Sequence, residues 1–217
     1  MVPIKIGSVL NTADIARIAG GLGVAARVGI DGPGASGKST FAAGLAEVLP
    51  EASLVNGDDF YRPELDTNRS AIEMAGLFDL SRLESQVLIP HTEGRVLHYQ
   101  RYDWETGSLG DWATGASGAP LIVEGIYSTH EMFRDFYDLR IWVIAPRAIR
   151  LARGIKRDGE EARSKWVDVW MPAEDRYIAD QAPQDQAHLV LDGSGAATCR
   201  DDEVSFSVVG GLLSEGP

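Results

Sequence analysis

A glycine-rich segment at positions 32–40 carries residue types that bind phosphate groups. It reads Gly-Pro-Gly-Ala-Ser-Gly-Lys-Ser-Thr and stands between an apolar run, 28–30, and a segment of helical composition, 41–49. Glycines let successive backbone N–H groups turn toward phosphate oxygens, and the N-terminus of the following helix adds a positive dipole. Lys38 is expected to reach the β- and γ-phosphates, and the Ser39 hydroxyl to bind Mg²⁺. The segment predicts a nucleoside triphosphate site formed by Gly32, Gly34, Ala35, Ser36, Gly37, Lys38, Ser39 and Thr40.

Acidic residues follow two other predicted strands and supply further groups that phosphoryl transfer requires. Asp58 and Asp59 come after the short strand 52–56, and Glu124 ends an apolar strand. The two aspartates should lie at the same sheet edge as the glycine-rich segment, where one of them could orient and deprotonate an acceptor hydroxyl. Glu124 is a candidate for binding Mg²⁺ directly or through water. The alternative for each carboxylate is an ordinary acidic turn or a solvated strand end.

A basic segment after Pro146 carries arginines at intervals of three and four residues. We expect one side of a helix to present Arg147, Arg150, Arg153 and Arg157. Beside a phosphate site, guanidinium groups of this kind would close as a lid over the transferring phosphoryl group and exclude water. We place this lid at about 147–165. A solvated helix face is the alternative.

Two tyrosines are candidates for the walls of an acceptor pocket. Tyr61 and Tyr102 each neighbour an acidic segment at a strand end. An aromatic ring there could pack against a substrate, although packing in the core is the alternative and the more frequent role.

Short apolar strands alternate with helices, which predicts an α/β fold. Strands are expected at 27–30, 52–56, 97–104, 120–125, 139–144 and 187–192. Helices are expected at 11–19, 38–49, 81–88, 149–156 and 160–181, the last interrupted at Pro172. This order indicates a central parallel sheet flanked by helices, with a ligand crevice at the carboxyl ends of the strands. The turn at 105–108 adds a hairpin-like region, and residues 1–217 are expected to form one domain.

Composition and charge argue against several classes of protein. A net charge of −12 disfavours nucleic acid and anionic membranes as partners. The sequence contains no apolar stretch long enough to span a membrane and no signal-like N-terminus. The single cysteine, Cys199, excludes an internal disulfide and fits a reducing compartment. We therefore expect a cytoplasmic enzyme with a small-molecule partner, and the sequence leaves open a homo-oligomer.

The order of the motifs along the chain is itself informative. After the glycine-rich segment come Gly-Asp-Asp-Phe-Tyr-Arg (57–62), Phe-Asp (78–79), Arg-Tyr-Asp-Trp (101–104), Ile-Val-Glu-Gly-Ile-Tyr (122–127) and the basic segment 150–158. This order resembles the uridine kinase family and its nucleoside kinase and phosphoribulokinase relatives. The similarity runs from about residue 27 to about residue 192.

The resemblance implies a three-layer P-loop kinase fold that uses ATP and Mg²⁺, with a small helical lid and a hairpin-like acceptor region. The first acid of the family's Asp-x-Phe-Tyr motif is the catalytic base, which implies that role for Asp58. The family's acidic residue after the later strand falls on Glu124. The resemblance further implies ribose binding by Asp79, a pocket wall at Tyr102, and lid functions for Arg153 and Arg157.

The chain departs from the family at positions that read the base. A histidine that follows the pocket tyrosine in uridine kinases is replaced by Gly107, and a lid arginine is replaced by Gly154. The later Arg-Gly-Arg segment of the family is shortened to Glu-Ala-Arg-Ser at 161–164. The phosphate-handling part of the family pattern is therefore present, whereas the base-reading part is not.

The leading hypothesis is a kinase that moves the γ-phosphoryl group of ATP to a primary hydroxyl, with a nucleoside such as uridine or cytidine as first guess. The alternative acceptors are nicotinamide riboside, pantothenate or a sugar derivative. A nucleotide-dependent switch without kinase activity is a further alternative, and the sequence does not distinguish ATP from GTP.

Overall fold

A seven-stranded sheet lies at the centre of the computed structural model, which describes residues 4–62, 78–195 and 205–215. Its strands in spatial order are β2 (Val9–Asn11), β10 (Ser205–Gly210), β9 (Leu189–Asp192), β8 (Leu139–Ile144), β3 (Arg27–Asp31), β7 (Leu121–Glu124) and β4 (Ser53–Asn56). The five strands from β9 to β4 pair in parallel. Strand β10 pairs antiparallel with both β9 and β2. The predicted α/β fold is confirmed. Strands β10 and β2 at one edge, of which only β10 runs opposite to the other strands, were not predicted from the sequence.

Alternate residues of the central strands enter two separate cores, which gives the molecule its three layers. Ile122 packs in a core with the helices α1 (Thr12–Gly20) and α2 (Lys38–Val48). Leu121 and Val123 belong to a second core on the opposite face of the sheet. Strands covered on both faces need apolar side chains in both directions, which explains the continuous apolar runs in the sequence.

Two helical segments contain a proline close behind a π-helical turn. The first consists of α3 (Leu80–Leu83), the π-helical turn Glu84–Leu88 and α4 (Ile89–Thr92), with Pro90 near the start of α4. The helix predicted at 81–88 therefore continues beyond its expected end.

The second such segment follows α5 (Arg147–Asp158) and a 3₁₀ turn, Glu160–Ala162. It consists of α6 (Arg163–Lys165), the π-helical turn Trp166–Trp170 and α7 (Met171–Gln181), and α8 (Pro183–Gln186) comes next. The predicted interruption at Pro172 is wrong, because the wider turn accommodates a residue that lacks the backbone N–H and would clash inside a regular helix.

A separate two-stranded hairpin confirms the hairpin-like region. It pairs β5 (Leu97–Asp103) with β6 (Ser108–Gly115) in antiparallel fashion. A short parallel pair joins β1 (Ile4–Lys5) to β11 (Ser214–Glu215). Cys199 lies outside the described residues, as do positions 63–77 of the region expected to build the acceptor pocket. Among the described residues, no helix combines the length and the apolarity needed to cross a membrane.

Candidate active site

A cavity of about 980 Å³ opens where several parallel strands end. The glycine-rich loop follows β3, Asp58 follows β4, Glu124 ends β7, and Gly193 follows β9. The residues that line the cavity on the phosphate side include Gly34, Ala35, Gly37, Lys38, Ser39, Thr40, Asp58, Glu124, Arg153, Arg157, Asp158, Trp166, Glu174, Gly193 and Phe206. The structure thus brings together most of the predicted phosphate-binding residues at one sheet edge.

The loop is anchored from below by a buried carboxylate that the sequence analysis did not single out. Asp31 accepts hydrogen bonds from the Gly32 N–H at 2.6 Å, from the Thr129 N–H and hydroxyl at 2.9 and 2.8 Å, and from the Tyr177 hydroxyl at 2.8 Å. Burial raises the pKa of Asp31, and these hydrogen bonds act in the opposite direction. Its only signal in the sequence was its place directly before Gly32.

Lys38 is buried, and its ammonium group donates to the Pro33 carbonyl at 3.1 Å within the loop. The lysine therefore lies folded against the first half of the loop, beside the cavity. Its charge also lowers the pKa values of Asp58 and Glu124, although burial has the larger effect on both and raises them.

Ser39 and Glu124 form the pair of oxygen donors at which Mg²⁺ binding was predicted. The Ser39 side chain lies near the buried carboxyl group of Glu124 and acts to lower its pKa, against the larger effect of burial. Mg²⁺ uses hard oxygen ligands and takes few from the protein, since phosphates and waters complete its shell. The pair fits this pattern. Among the described residues, no group of three or more His, Cys, Asp or Glu side chains could hold a metal ion by itself.

The two neighbouring aspartates lie in different surroundings. Asp58 lines the cavity, and it interacts with Lys38 and Arg157. Asp59 is absent from the cavity lining and interacts with Arg101 of the hairpin, and burial raises its pKa to about 6. Of the two aspartates, Asp58 is the one that lines the cavity.

The four arginines of α5 do not share one environment. Arg147 lies at the surface and Arg150 is buried, each paired with an acidic residue of α7. Arg153 donates to the carbonyls of Ala35 and Gly193, at 3.4 and 2.7 Å, and so joins α5 to the phosphate loop. Arg157 pairs with its neighbour Asp158 at 2.6 Å, and its guanidinium group stands 5.8 Å from the Trp166 ring centroid.

Gly154 provides space for a buried tryptophan. A Cβ atom at this position would lie 2.5 Å from the Trp166 ring, so any larger residue would displace the indole. The Trp166 indole N–H donates to Asp158 at 2.9 Å. The position that differs from the family pattern is therefore part of the wall above the phosphate loop, a role that the sequence analysis missed.

Aromatic rings form the opposite end of the cavity. The described residues that line this end are Tyr61, Phe78, Trp104, Ile126, Tyr127 and Trp170. Tyr61 contacts Trp104 with ring centroids 4.5 Å apart, and the Trp170 indole N–H donates to the Tyr61 hydroxyl at 3.3 Å. Tyr61 thus stands where an acceptor wall was predicted, and Trp104, Tyr127 and Trp170 were not identified.

Two predicted substrate residues lie outside the lining of the cavity. The Tyr102 ring packs behind Tyr61 and Trp104. The Asp79 carboxylate caps α3 by accepting from the Arg82 N–H at 2.9 Å. The ribose contact of Asp79 and the pocket wall at Tyr102 stay predictions.

The fold and the loop together define a P-loop nucleotide-binding protein. The family model "Phosphoribulokinase / Uridine kinase family" matches residues 27–195. The chain belongs to this family of P-loop kinases, and the resemblance stated from the sequence is confirmed.

Curated relatives agree with this assignment, and a solved structure agrees with the fold. A uridine kinase of Borrelia turicatae is 30% identical over 137 residues, covering 60% of this chain and 66% of the relative. Uridine-cytidine kinase C of Dictyostelium discoideum is 30% identical over 138 residues, covering 60% of this chain and 29% of the relative. The chain thus spans less than two thirds of either relative. A possible uridine kinase from Bacillus stearothermophilus superposes with a TM-score of 0.64 at 20% identity, over 82% of this chain and 96% of that one, and supports the fold.

Proposed function

We propose that the protein transfers the γ-phosphoryl group of ATP to a hydroxyl group of a small molecule, with a nucleoside such as uridine or cytidine as the first acceptor to test. The observation that carries the proposal is the meeting of Lys38, Asp58 and the Ser39–Glu124 pair in one cavity with an aromatic far wall. Such an arrangement offers a phosphate cradle, oxygen donors for a metal ion and a base beside an acceptor pocket.

On the donor side, the loop amides and Lys38 would hold the β- and γ-phosphates. Ser39 and Glu124 would hold Mg²⁺, which supplies charge neutralisation for the phosphate oxygens when bound. Arg157 lines the cavity and would exchange its hydrogen bonds to Asp158 for the phosphates, since its side chain is largely exposed. Arg153 would keep the loop attached to α5.

On the acceptor side, Asp58 would orient the hydroxyl group and take its proton as the phosphoryl group is transferred. Burial raises the pKa of Asp58 and so makes its carboxylate a stronger base. The rings of Tyr61, Trp104 and Trp170 offer flat apolar surfaces that suit a planar ring system better than a polar sugar. This favours a nucleoside over a simple sugar derivative.

A specific observation favours a second group of acceptors. Gly107 stands in the hairpin turn close to the Tyr102 hydroxyl, and it has no side chain with which to read a base. Because no side chain at position 107 contacts the base, other hydroxyl compounds with a flat ring, such as nicotinamide riboside, are candidate acceptors beside uridine and cytidine. Pantothenate is the candidate acceptor without an aromatic ring.

A coupled assay for ADP release tests the proposal. The purified protein is incubated with ATP or GTP, Mg²⁺ and a panel of nucleosides, vitamins and sugars, with Lys38→Ala as the inactive control. ADP release that depends on one acceptor supports the proposal, and mass spectrometry then locates the phosphate. Slow release that no acceptor accelerates would favour the nucleotide-dependent switch instead.

A further inference from the structure

A buried ion pair joins α5 to α7 beneath the cavity. The Arg150 and Glu174 side chains are 6% and 7% exposed, and an Arg150 guanidinium N–H donates to a Glu174 carboxylate oxygen at 2.8 Å. Arg150 is fixed in turn by a hydrogen bond to the Ala145 carbonyl at 3.2 Å. One oxygen of Glu174 is therefore held in place from the side of α5.

The second oxygen of Glu174 contacts the phosphate loop itself. It accepts a hydrogen bond from the Gly34 N–H at 2.8 Å, across 140 positions of sequence. A Cβ atom at Gly34 would lie 2.7 Å from this oxygen and 2.9 Å from the Trp166 ring. Glu174 and Trp166 thus press against the same side of Gly34 and leave room only for glycine.

Lys38 holds the other end of the same peptide unit. Its ammonium group donates to the Pro33 carbonyl, which belongs to the peptide bond whose N–H binds Glu174. The orientation of this peptide bond is therefore fixed by a carboxylate on one end and by the phosphate-binding lysine on the other. Because a peptide unit is planar and rigid, a substitution at Glu174 that turns the Pro33–Gly34 peptide would also move the carbonyl that holds Lys38.

The connection between the two helices does not by itself require a buried charge. Arg147 and Asp175 form a second ion pair between α5 and α7, and both of these side chains are exposed at the surface. A buried carboxylate is costly because it loses its hydration, and burial raises the pKa of Glu174. What the buried pair adds to the surface pair is the contact with the loop.

We propose that Glu174 is a positioning residue for the phosphate loop. It sets the Pro33–Gly34 peptide, and through it Lys38, in the orientation that meets the β- and γ-phosphates. This inference rests on the proposed nucleotide binding, and it adds a determinant that comes from the second half of the chain.

Direct measurement of nucleotide binding tests the inference. We expect Glu174→Ala to weaken ADP and ATP binding by about tenfold in calorimetry, because a hydrogen bond to a charged group is lost. The KM for ATP should rise while the KM for the acceptor stays unchanged. Glu174→Gln should show a smaller loss, since its amide oxygen can still accept from Gly34.

Two controls separate positioning from general loss of stability. Asp175→Ala removes an ion pair between the same helices without touching the loop, and it should leave nucleotide affinity unchanged. Val87→Ala creates a cavity in the second core, away from the site, and should lower Tm without changing the KM for ATP. If Glu174→Ala does not fold, Glu174→Gln provides the test, because the substitution removes the charge and keeps an oxygen that can accept from the Gly34 N–H; ATP affinity equal to that of the wild type together with an unchanged KM for ATP would then overturn a role for the charge.

The outcomes distinguish the inference from the proposed function. Unchanged or tighter ATP binding in Glu174→Ala, with a wild type that binds ATP, overturns the positioning role and leaves the kinase proposal intact. A wild type that binds neither ADP nor ATP overturns both.

Discussion

The phosphate end and the acceptor end of the cavity are built from different kinds of groups. At the phosphate end, one continuous segment supplies six of the lining residues, and the charged side chains that complete it come from the ends of β4 and β7 and from the helices α5 and α7. At the acceptor end, the lining consists mainly of aromatic rings that come from distant parts of the chain: Tyr61, Phe78, Trp104, Tyr127 and Trp170.

We expect the phosphate end of the cavity to determine the reaction and the acceptor end to determine the substrate. Under the proposed function, backbone amides, Lys38 and carboxylates would recognise phosphate and a metal ion by charge and direction, which would restrict the chemistry to few possibilities. Aromatic walls recognise shape and flatness, and they accept several ring systems. Variants at the two ends should therefore change different kinetic constants.

The largest effect is expected at Lys38. Lys38→Ala should abolish nucleotide-dependent turnover, because the charge that reaches the β- and γ-phosphates is removed. Its Tm should stay close to that of the wild type, since the ammonium group makes its hydrogen bond within the loop itself. Lys156→Ala, on the exposed side of α5, is the control. Turnover that survives in Lys38→Ala would refute the assignment of the loop.

The second largest effect is expected at Asp58. Asp58→Asn is expected to lower kcat by roughly 10²–10⁴-fold with little loss of ATP affinity, because a general base acts on the acceptor and not on the nucleotide. Asp59→Asn serves as a matched control on the adjacent residue, which does not line the cavity. If Asp59→Asn is the crippled variant and Asp58→Asn remains active, the two roles must be exchanged.

The pH dependence of kcat/KM should carry the signature of the same carboxylate. A base works only when ionised, and burial raises the pKa of Asp58 above its ordinary value. Activity should therefore fall as the pH is lowered, with a midpoint above the ordinary aspartate range. This acid limb should persist in Asp59→Asn, although the pKa of Asp59 itself is raised to about 6. Loss of the limb in that variant alone would contradict the assignment.

The phosphate end could be predicted from the sequence because its parts are local. Spacing placed Lys38 and Ser39 on one loop, and the ends of parallel strands brought Asp58 and Glu124 to the same edge. The core strands were predictable for a similar reason, since strands covered on both faces read as continuous apolar runs.

The acceptor end and the wall above the loop could not be predicted in the same way. Trp166 and Trp170 lie on a π-helical turn that no pattern in the sequence indicated. Glu174 follows Pro172 in a helix that continues through this proline, although a proline in a sequence signals a break. Strand β10 gave no clear signal and depends on pairing with β9. Tyr61 lines the cavity and Tyr102 packs behind it, and the spacing of residues in the sequence does not indicate which of the two rings is exposed to the cavity.

A pair of variants on the hairpin tests whether the acceptor binds at the aromatic end of the cavity. Trp104→Ala should raise the KM for a ring-bearing acceptor by about tenfold, because stacking of a base on an aromatic ring contributes roughly 1–3 kcal/mol. The KM for ATP should not change. Trp112 lies on the same hairpin, is about as exposed as Trp104, and stacks on His98 outside the cavity. Trp112→Ala is therefore the control, and it should change neither KM. Equal effects of the two variants would show that the hairpin matters for stability and not for acceptor binding.

The smallest effect concerns Arg157, which stands between the two ends. Arg150 and Arg153 are already anchored, so ligand-induced ordering should concentrate at about 157–163 and should be weak at 147–153. Hydrogen exchange should show increased protection there with a non-hydrolysable ATP analogue and Mg²⁺, and more with acceptor present. Arg157→Ala should reduce the rate by less than about tenfold, since solvent screens a guanidinium group that is 62% exposed.

Arg163→Ala is the control for this lid, because Arg163 pairs with Glu160 at the surface and does not line the cavity. A solvated helix face predicts equal protection with and without ligand, and an unchanged rate in both variants. That result would end the lid assignment and leave Lys38 as the principal side-chain cation at the phosphate end. Increased protection together with a slower Arg157→Ala would instead mean that the phosphates draw Arg157 away from Asp158 once the nucleotide has bound.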